Sequence, residues 1–382
     1  MNKSSDFRTL CVHAGELKDT QFGGAISPLY ASTSYNYDDV DIKQYPRYFN
    51  TPNQRGLCEK IAALEGAETG LIFGSGMAAV STALLSHLRS GDHVVFQDDI
   101  YGGTRNFIKK EFPKYGIEYS FTKGLNAADF KAEITPQTKG IYIETPSNPL
   151  LKITDLKAVS DLAKSESIWT MIDNTFASPV NQNPIAHGID IVIHSATKYL
   201  GGHSDISAGV VLATESIIEK VYESAKNLGG NLSEYTVWLL ERSIKTLYIR
   251  VQAQNKNAQL LSNFLLDQDW VREVYYPGLE NHKDHQIAKQ QMSGFGGMLS
   301  FNLAPGLDTK KFLKGLKMVK PTMSLAGIES TALSPRLTSH SLLSEEERQA
   351  QGITEQMVRF SAGIEAIEDI KTDVLQSITK IS

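Results

Sequence analysis

Apolar runs and helical periodicities alternate along the first two thirds of the chain. The runs that predict buried strands are TGLIF (69–73), HVVFQ (93–97), GIYIE (140–144), IWTMID (168–173) and DIVIHS (190–195). Amphipathic stretches at 77–89, 104–114 and 154–165 predict helices after the first three of these strands. Strands that are apolar on both faces and alternate with helices are typical of an α/β fold with a mostly parallel sheet flanked by helices.

The chain changes character on either side of this region. Residues 1–48 are rich in Gly, Ser, Asn and Tyr and show no sustained period, which predicts an arm that lies on another surface. Residues 215–265 are mainly helical in pattern, and alternation at 298–303 and 357–364 predicts half-buried strands. We therefore expect an arm over 1–48, a larger domain over 49–244 and a smaller α+β domain over 245–382.

Composition narrows the classes of protein that fit. The 382 residues carry a formal net charge of −5, which lacks the basic surface of a nucleic-acid binder, and no basic block suggests a membrane surface. Only Cys11 and Cys58 are present, at a spacing unlike a metal site or a disulfide framework. The first residues have no apolar signal segment, and no apolar run is long enough to span a bilayer, so we expect a cytoplasmic protein.

A glycine-rich loop, GSGMAA (74–79), follows the first strand and opens a helix. Backbone N–H groups at a helix start form a site for phosphate, although tight packing explains such a loop equally well. The loop also fits G-x-G-x-x-A, the dinucleotide pattern, and Asp98 and Asp99 end the next strand where a ribose-binding acid would lie. On its own the loop leaves both ligands open.

Two further groups occur at predicted strand ends. Asp173 closes one strand, and Lys198 follows the next one behind the hydroxyl residues Ser195 and Thr197. Ligands of open α/β sheets bind at the carboxyl ends of the strands, although a capping Asp and a surface Lys are the commoner fates of such residues. Together with the loop they match pyridoxal 5'-phosphate (PLP), which needs an anion cradle, an acid for its ring nitrogen and an amine for its aldehyde.

The same segments resemble the Cys/Met-metabolism family of PLP enzymes from about residue 8 to the C-terminus. The most specific piece is SATKYLGGHSD (195–205), and ETPSNP (144–149), DNTFASP (173–179), YGGT (101–104) and VRFSAGIE (358–365) support it. The resemblance implies the type I, aminotransferase-like fold, a PLP cofactor and an amino-acid substrate.

The resemblance also implies a role for each matching position. Lys198 would bond to the cofactor aldehyde and act as the base, and Asp173 would pair with the pyridine nitrogen. The phosphate would be held by the backbone amides of Gly76 and Met77 and by the hydroxyls of Ser195 and Thr197. Tyr101 would stack on the ring and act in catalysis. The substrate carboxylate would be bound by Arg359, helped by Asn148 and Ser324.

Family members share active sites between subunits. Tyr45 and Arg47 match a Tyr-x-Arg motif that reaches the phosphate of a neighbouring subunit. The resemblance therefore implies a homo-oligomer, a dimer of dimers, with the arm contributing to the partner's site.

Several positions depart from the family pattern. Residues 50–52 read Asn-Thr-Pro where Asn-Pro-Thr is usual, and a common arginine is replaced by Asn106, with Arg105 one place earlier. Gln44 and Met323 occupy positions where enzymes acting on cystathionine in the γ direction carry glutamates. The absence of these glutamates favours a cystathionine β-lyase type over γ-lyase, methionine γ-lyase or cystathionine γ-synthase. The segment SEEERQAQGITEQMVRFSAGIE (344–365) also resembles the β-lyases most.

Two other classes remain as alternatives. A nicotinamide-dependent oxidoreductase would use the GSGMAA loop but leaves Lys198 and Asp173 without a role. A binding protein without catalysis would not need the lysine, the acid and the tyrosine together. His282 and His285 lie in a polar segment that predicts a solvated loop and no metal site.

Overall fold

The computed structural model describes residues 5–338, 341 and 344–381. Its strands are β1 Thr69–Phe73, β2 His93–Phe96, β3 Glu118–Phe121, β4 Thr138–Glu144, β5 Trp169–Asp173, β6 Ile191–His194, β7 Gly209–Ala213, β8 Val271–Tyr275, β9 Met298–Leu303, β10 Thr331–Leu333 and β11 Met357–Ser361. Its helices in the first part are α1 Phe7–His13, α2 Pro52–Glu65, α3 Gly76–His87, α4 Gly102–Glu111, α5 Ala127–Ala132, α6 Leu156–Ser165 and α7 Ser178–Asn181. They continue with α8 Glu215–Leu228, α9 Glu234–Ile244, α10 Leu247–Leu266, α11 His285–Gln291, α12 Thr309–Gly315, α13 Glu345–Ala350 and α14 Ile367–Ile378.

The larger sheet has the order β1-β7-β6-β5-β4-β2-β3. Strand β7 runs antiparallel to both of its neighbours, and the other pairings are parallel. Helices cover both faces, and the two largest clusters of buried apolar side chains lie on either side of the sheet, with Ile172 and Val192 in one and Met171 and Ile191 in the other. The predicted α/β fold with a mostly parallel sheet is confirmed.

The smaller sheet is antiparallel, in the order β10-β11-β9-β8. It follows the long helix α10, and α12 and α14 pack against each other beside it. The predicted strands at 298–303 and within 357–364 are present as β9 and β11. This part of the chain is therefore α+β, as the sequence pattern predicts.

Some elements were not predicted. The pattern of the arm gave no helix, yet α1 is capped by Asp6 and buries Leu10 and Cys11 against the body of the protein. The helical region 215–265 is three helices. Helix α8 ends where Gly229 and Gly230 adopt positive φ, and α9 and α10 are separated at Lys245 and Thr246. Strands β3, β7, β8 and β10 were also not predicted.

Within the described ranges, no helix is both long and apolar enough to cross a membrane.

Candidate active site

The parallel strands of the larger sheet bring their carboxyl ends to one edge, where a cavity of about 450 Å³ opens. The predicted site residues that line it are Gly76, Met77, Tyr101, Asn148, Asp173, Ser195, Thr197, Lys198, Ser324 and Arg359. Tyr45 and Arg47 are not among the residues that line this cavity. The structure thus brings together ten predicted positions that are spread over nearly three hundred residues of sequence.

One end of the cavity is built to receive an anion. The N-terminus of α3 points into it, with Ser75 as the capping residue whose side chain accepts the Ala78 N–H at 3.1 Å. Gly76 allows a close approach, because a Cβ at this position would lie 2.8 Å from the Ser195 Cβ. The Thr197 hydroxyl is fixed nearby, since it donates to the Ala208 carbonyl at 3.1 Å. No acidic residue occupies the first turn of α3, which leaves the positive end of the helix dipole free for a phosphate.

Asp173 lies at the end of β5 and is only 9% exposed. One of its oxygens accepts the Thr175 N–H at 3.0 Å, and the Thr175 hydroxyl in turn accepts the Ser195 N–H at 2.8 Å. Burial raises the pKa of Asp173, and hydrogen bonds from Thr175 and the charge of Lys198 oppose that effect. A buried carboxylate held in this way is suited to pair with a cationic ring nitrogen.

Lys198 reaches the same cavity from the turn that follows β6. Its Nζ donates to the Ser324 hydroxyl at 2.8 Å. Burial, and secondarily the charge of Arg359, lower the pKa of Lys198 to about 8. A larger fraction of this amine is therefore neutral near pH 7 than of a solvated lysine, and the neutral form is the nucleophile and base.

Arg359 extends from β11 into the cavity and is 5% exposed. Its guanidinium donates to the Asn148 side-chain oxygen and to the Ser324 carbonyl, both at 3.1 Å. Ser324 adopts φ 83°, a strained conformation for a residue with a side chain. Burial lowers the pKa of Arg359 to about 10, so the group remains charged at neutral pH and offers a cation for a carboxylate.

Tyr101 is the residue before α4, and its side chain stands at the cavity mouth with 44% exposure. Its ring lies against the backbone of Gly103, where an added Cβ would come 2.5 Å from the ring carbon Cε1. Its backbone N–H donates to the Glu144 carboxyl at 2.6 Å. The phenol is therefore placed over the cavity by a fixed backbone.

Glu144 and Thr175 also line the cavity, although neither is among the predicted site residues. Glu144 ends β4 as Asp173 ends β5, and the two residues are paired in the sheet. A search for every polar residue at the end of a predicted parallel strand would have found Glu144. Thr175 could have been found as the residue two places after Asp173, a spacing at which a hydroxyl and the backbone meet a carboxylate.

The departures at residues 50–52 and at Arg105 and Asn106 lie outside the cavity, whereas Met323 lines it. Thr51 caps α2 in a capping box with Gln54, and Pro52 occupies the first helical turn, so this change has a local structural use. The Arg105 guanidinium donates to Asp98 at 2.8 Å and lies 4.1 Å from the centre of the Phe121 ring. Neither departure alters the groups at the carboxyl edge.

The cavity combines an anion cradle, a buried carboxylate without an ion-pair partner among the described residues, and a lysine of low pKa. These groups fit the phosphate, the ring nitrogen and the aldehyde of one ligand. The fold and the site define a PLP-dependent enzyme.

Comparison with known proteins assigns the family. A model of the family "Cys/Met metabolism PLP-dependent enzyme" matches residues 8–379, and the chain belongs to this family. Its cofactor is pyridoxal 5'-phosphate, and it is a carbon–sulfur lyase of sulfur amino-acid metabolism. Membership of this family excludes the nicotinamide-dependent alternative. The Asp99 carboxylate, which that alternative would use to bind a ribose, instead accepts the Ser147 hydroxyl at 2.6 Å and pairs with Lys152 at 3.5 Å.

Similar proteins cover the whole chain. A cystathionine β-lyase of Lactococcus lactis is 41% identical over 98% of this chain and 100% of the relative. A cystathionine γ-lyase of Bacillus subtilis is 40% identical over 98% of this chain and 99% of the relative. The crystal structure of cystathionine γ-lyase from Lactobacillus plantarum complexed with L-serine matches with a TM-score of 0.95 and 37% identity, over 99% of both chains.

Proposed function

We propose that this enzyme is a cystathionine β-lyase, which converts cystathionine and water to homocysteine, pyruvate and ammonia. The observation that carries the proposal is the single cavity that holds Lys198, Asp173, the α3 N-terminus and Arg359. The same cavity has space for an amino acid beside the cofactor, since its volume is about 450 Å³.

The roles that we propose follow from the contacts of each group. PLP supplies a ring that withdraws the electrons left on Cα when an amino acid loses its α-proton. Asp173 holds a proton on the ring nitrogen, which keeps the ring cationic, and Gly76, Met77, Ser195 and Thr197 bind the phosphate. These contacts fix the two ends of the cofactor relative to the sheet.

Lys198 is the base that removes the α-proton of the substrate. Its low pKa supports this role, because a base works best when its pKa lies near the working pH. The Tyr101 phenol, at the cavity mouth, stacks on the ring and donates a proton to the leaving sulfur. The second half of the substrate then leaves as a neutral thiol.

Arg359 binds the α-carboxylate of the substrate. Its planar guanidinium suits a two-point contact, and Asn148 and the Ser324 carbonyl hold it in place. With the carboxylate bound, the Cα–H bond can be held towards Lys198, which is the geometry that the first step requires.

The lining of the cavity favours the β direction. Among the described lining residues, the carboxyl groups belong to Glu144 and Asp173, which lie deep at the strand ends. The more distant lining includes the apolar side chains of Met323 and Leu333. Among the described residues of this more distant lining, no carboxylate is available to bind the distal ammonium of cystathionine in the position that γ-elimination needs. The alternatives are γ-lyase, methionine γ-lyase and cystathionine γ-synthase activity.

The assembly that we propose is a homo-oligomer with shared sites. The arm exposes several large apolar side chains, with Phe22 83% and Tyr37 70% exposed. Apolar side chains in such a patch are typical of a protein contact. Tyr45 and Arg47 belong to this arm, and we propose that they reach the phosphate site of the neighbouring subunit.

The products from L-cystathionine test the proposal. We expect homocysteine and pyruvate in equal amounts, because Cβ–S cleavage leaves sulfur on the four-carbon fragment. Cysteine with 2-oxobutyrate would contradict the β direction. Formation of cystathionine from cysteine and an activated homoserine ester, faster than its cleavage, would contradict the lyase assignment in favour of the synthase.

A further inference from the structure

Glu144 is a titratable residue that lines the cavity but has no role in the proposed reaction. It is 4% exposed at the end of β4. Its Oε2 accepts the Tyr101 N–H at 2.6 Å. Its own backbone is held by one side chain, because Gln97 donates to the Glu144 carbonyl at 2.7 Å and accepts its N–H at 3.4 Å. Both the backbone and the side chain of Glu144 are therefore fixed, and the residue links the sheet to the start of α4.

A second buried carboxyl lies beside it. Glu144 and Asp173 are paired in the parallel register of β4 and β5, and both line the cavity. In a buried site, the ionisation of one carboxyl opposes the ionisation of its neighbour on the next strand, which favours a pair in which one carboxyl keeps its proton. The surroundings of the two groups determine which one does so.

Asp173 has the partners of an ion. It accepts the Thr175 N–H at 3.0 Å, and the charge of Lys198 favours its ionised form. Glu144 accepts one backbone N–H, and the charged groups that act on it are the carboxyls of Asp173 and Asp99. Burial, and next the charge of Asp173, raise the pKa of Glu144 well above its usual value. The Tyr142 phenol beside the pair is itself buried and adds no charge.

We propose that Glu144 is a positioning residue that holds Tyr101 at the cavity mouth as a neutral carboxylic acid, leaving Asp173 as the one ionised carboxyl at the buried strand ends. The inference rests on the proposed roles of Asp173, Lys198 and Tyr101. A neutral acid accepts the Tyr101 N–H without placing a second negative charge beside the cofactor ring. An ionised Glu144 would compete with Asp173 for the ring cation and would stabilise the protonated lysine linkage.

The charge of Glu144 is tested in the holoenzyme with Glu144→Gln, which keeps the acceptor and removes the acidic proton. The readout is the visible absorption band of the bound cofactor, whose pH midpoint reports protonation of its bond to Lys198. We expect the midpoint to move by less than about 0.3 unit, because a neutral group replaces a neutral group. A fall of about one unit or more would show that a negative charge was removed, and would overturn the proposal.

The positioning role is tested by comparing Glu144→Ala with Glu144→Gln. We expect Glu144→Ala to lower kcat/KM about tenfold or more, because the Tyr101 N–H loses the acceptor that fixes the start of α4. We expect Glu144→Gln to recover kcat/KM to within about threefold of the unchanged enzyme. Equal loss in both variants, or no loss in Glu144→Ala, would overturn the role assigned to the carboxyl.

Asp173→Asn separates this inference from the proposed function. Asp173→Asn makes the same carboxyl-to-amide change on the neighbouring strand. It should abolish turnover and shift the cofactor band, because the ring nitrogen would lose the carboxylate that keeps it protonated. If Asp173→Asn behaves like the unchanged enzyme, the proposed site fails as a whole. If Asp173→Asn loses turnover as expected, and Glu144→Gln shifts the pH midpoint of the cofactor band, only the neutral state of Glu144 is disproved.

Discussion

At the scale of single residues, burial sets the chemistry of Lys198. The amine has one described hydrogen bond, to the Ser324 hydroxyl, and it shares the cavity with the guanidinium of Arg359. Burial, the larger effect, and the like charge of Arg359 both disfavour the charged form of Lys198. Together they lower its pKa to about 8. A folded-state pKa below the ordinary value means that the proton is lost at lower pH than from a solvated lysine.

This shift predicts the pH dependence of cofactor capture. The neutral amine attacks the aldehyde, so the rate at which the cofactor-free protein binds PLP covalently should rise with pH and level off above about 8. Stopped-flow absorbance from about pH 6.5 to about pH 9.5 measures it. As a control, Arg359→Gln removes a like charge and should move the midpoint upward. A rate that still climbs steadily through the whole range would contradict the shifted pKa.

Lys198 and Asp173 were predicted from the sequence to lie at one site, and both line the cavity, but the predicted surroundings of other residues differ from the structure. The alternation around Arg359 predicts a strand with one polar, exposed face, whereas β11 is buried along its whole length. The reason is tertiary: Asn148 and Ser324, distant in sequence, cover the face that carries Arg359. The position of Glu144 at the end of a predicted strand was visible in the sequence, but its pairing with Asp173 depends on strand order, which a single sequence does not reveal.

At the scale of secondary-structure elements, the start of α3 determines whether a phosphate can approach. The helix begins at Gly76, and the backbone of its first turn, at Gly76 and Met77, faces the cavity. Gly76 lies against Ser195, so a side chain there would fill the space between the helix and the turn before Lys198.

Gly76→Ala should therefore weaken PLP binding about tenfold or more, since the added Cβ would meet the Ser195 Cβ at 2.8 Å. Gly74→Ala is the matched control, because its Cβ would meet no heavy atom closer than 3.5 Å. Equilibrium dialysis of PLP against both variants measures the effect. Equal affinities in the two variants would contradict the phosphate cradle.

The elements themselves were predicted to different degrees. Strands at 69–73, 93–97, 140–144 and 168–173 were found because fully buried strands are continuous apolar runs. Strand β7 has the same character, GVVLA, but it follows β6 without a helix between them and runs antiparallel, so the alternating pattern gave no reason to expect it. Strand β3 is short and partly exposed, which weakens its apolar signal.

At the scale of the whole molecule, the arm has two parts. Its first helix packs on its own chain, and Lys60 is fully buried where its Nζ donates to the Cys11 and Val12 carbonyls at 3.1 Å. The following segment carries the exposed aromatic side chains and ends at Arg47, which donates to the Lys226 carbonyl at 2.6 Å. Arg47 does not line the cavity of its own chain, which is compatible with the proposal that it reaches the cavity of a neighbouring subunit.

Mixing two inactive variants tests this shared site. Lys198→Ala lacks the base, and Arg47→Ala should bind PLP weakly because the phosphate loses a cation from the neighbouring subunit. A mixed oligomer contains one complete site built from the Lys198 of one subunit and the Arg47 of the other. We therefore expect activity to return when the two proteins are unfolded, mixed and refolded together. A mixture no more active than its parts would contradict shared sites.

The most direct test of the account is chemical trapping of the cofactor. The holoenzyme is reduced with borohydride, digested and analysed by mass spectrometry, with Asp173→Asn and Lys198→Ala treated in parallel. The account predicts a single pyridoxyl-modified peptide whose modified residue is Lys198, and no modified peptide from Lys198→Ala. Modification of another lysine in the unchanged enzyme, or none at all, would contradict the placement of the cofactor between Lys198 and Asp173.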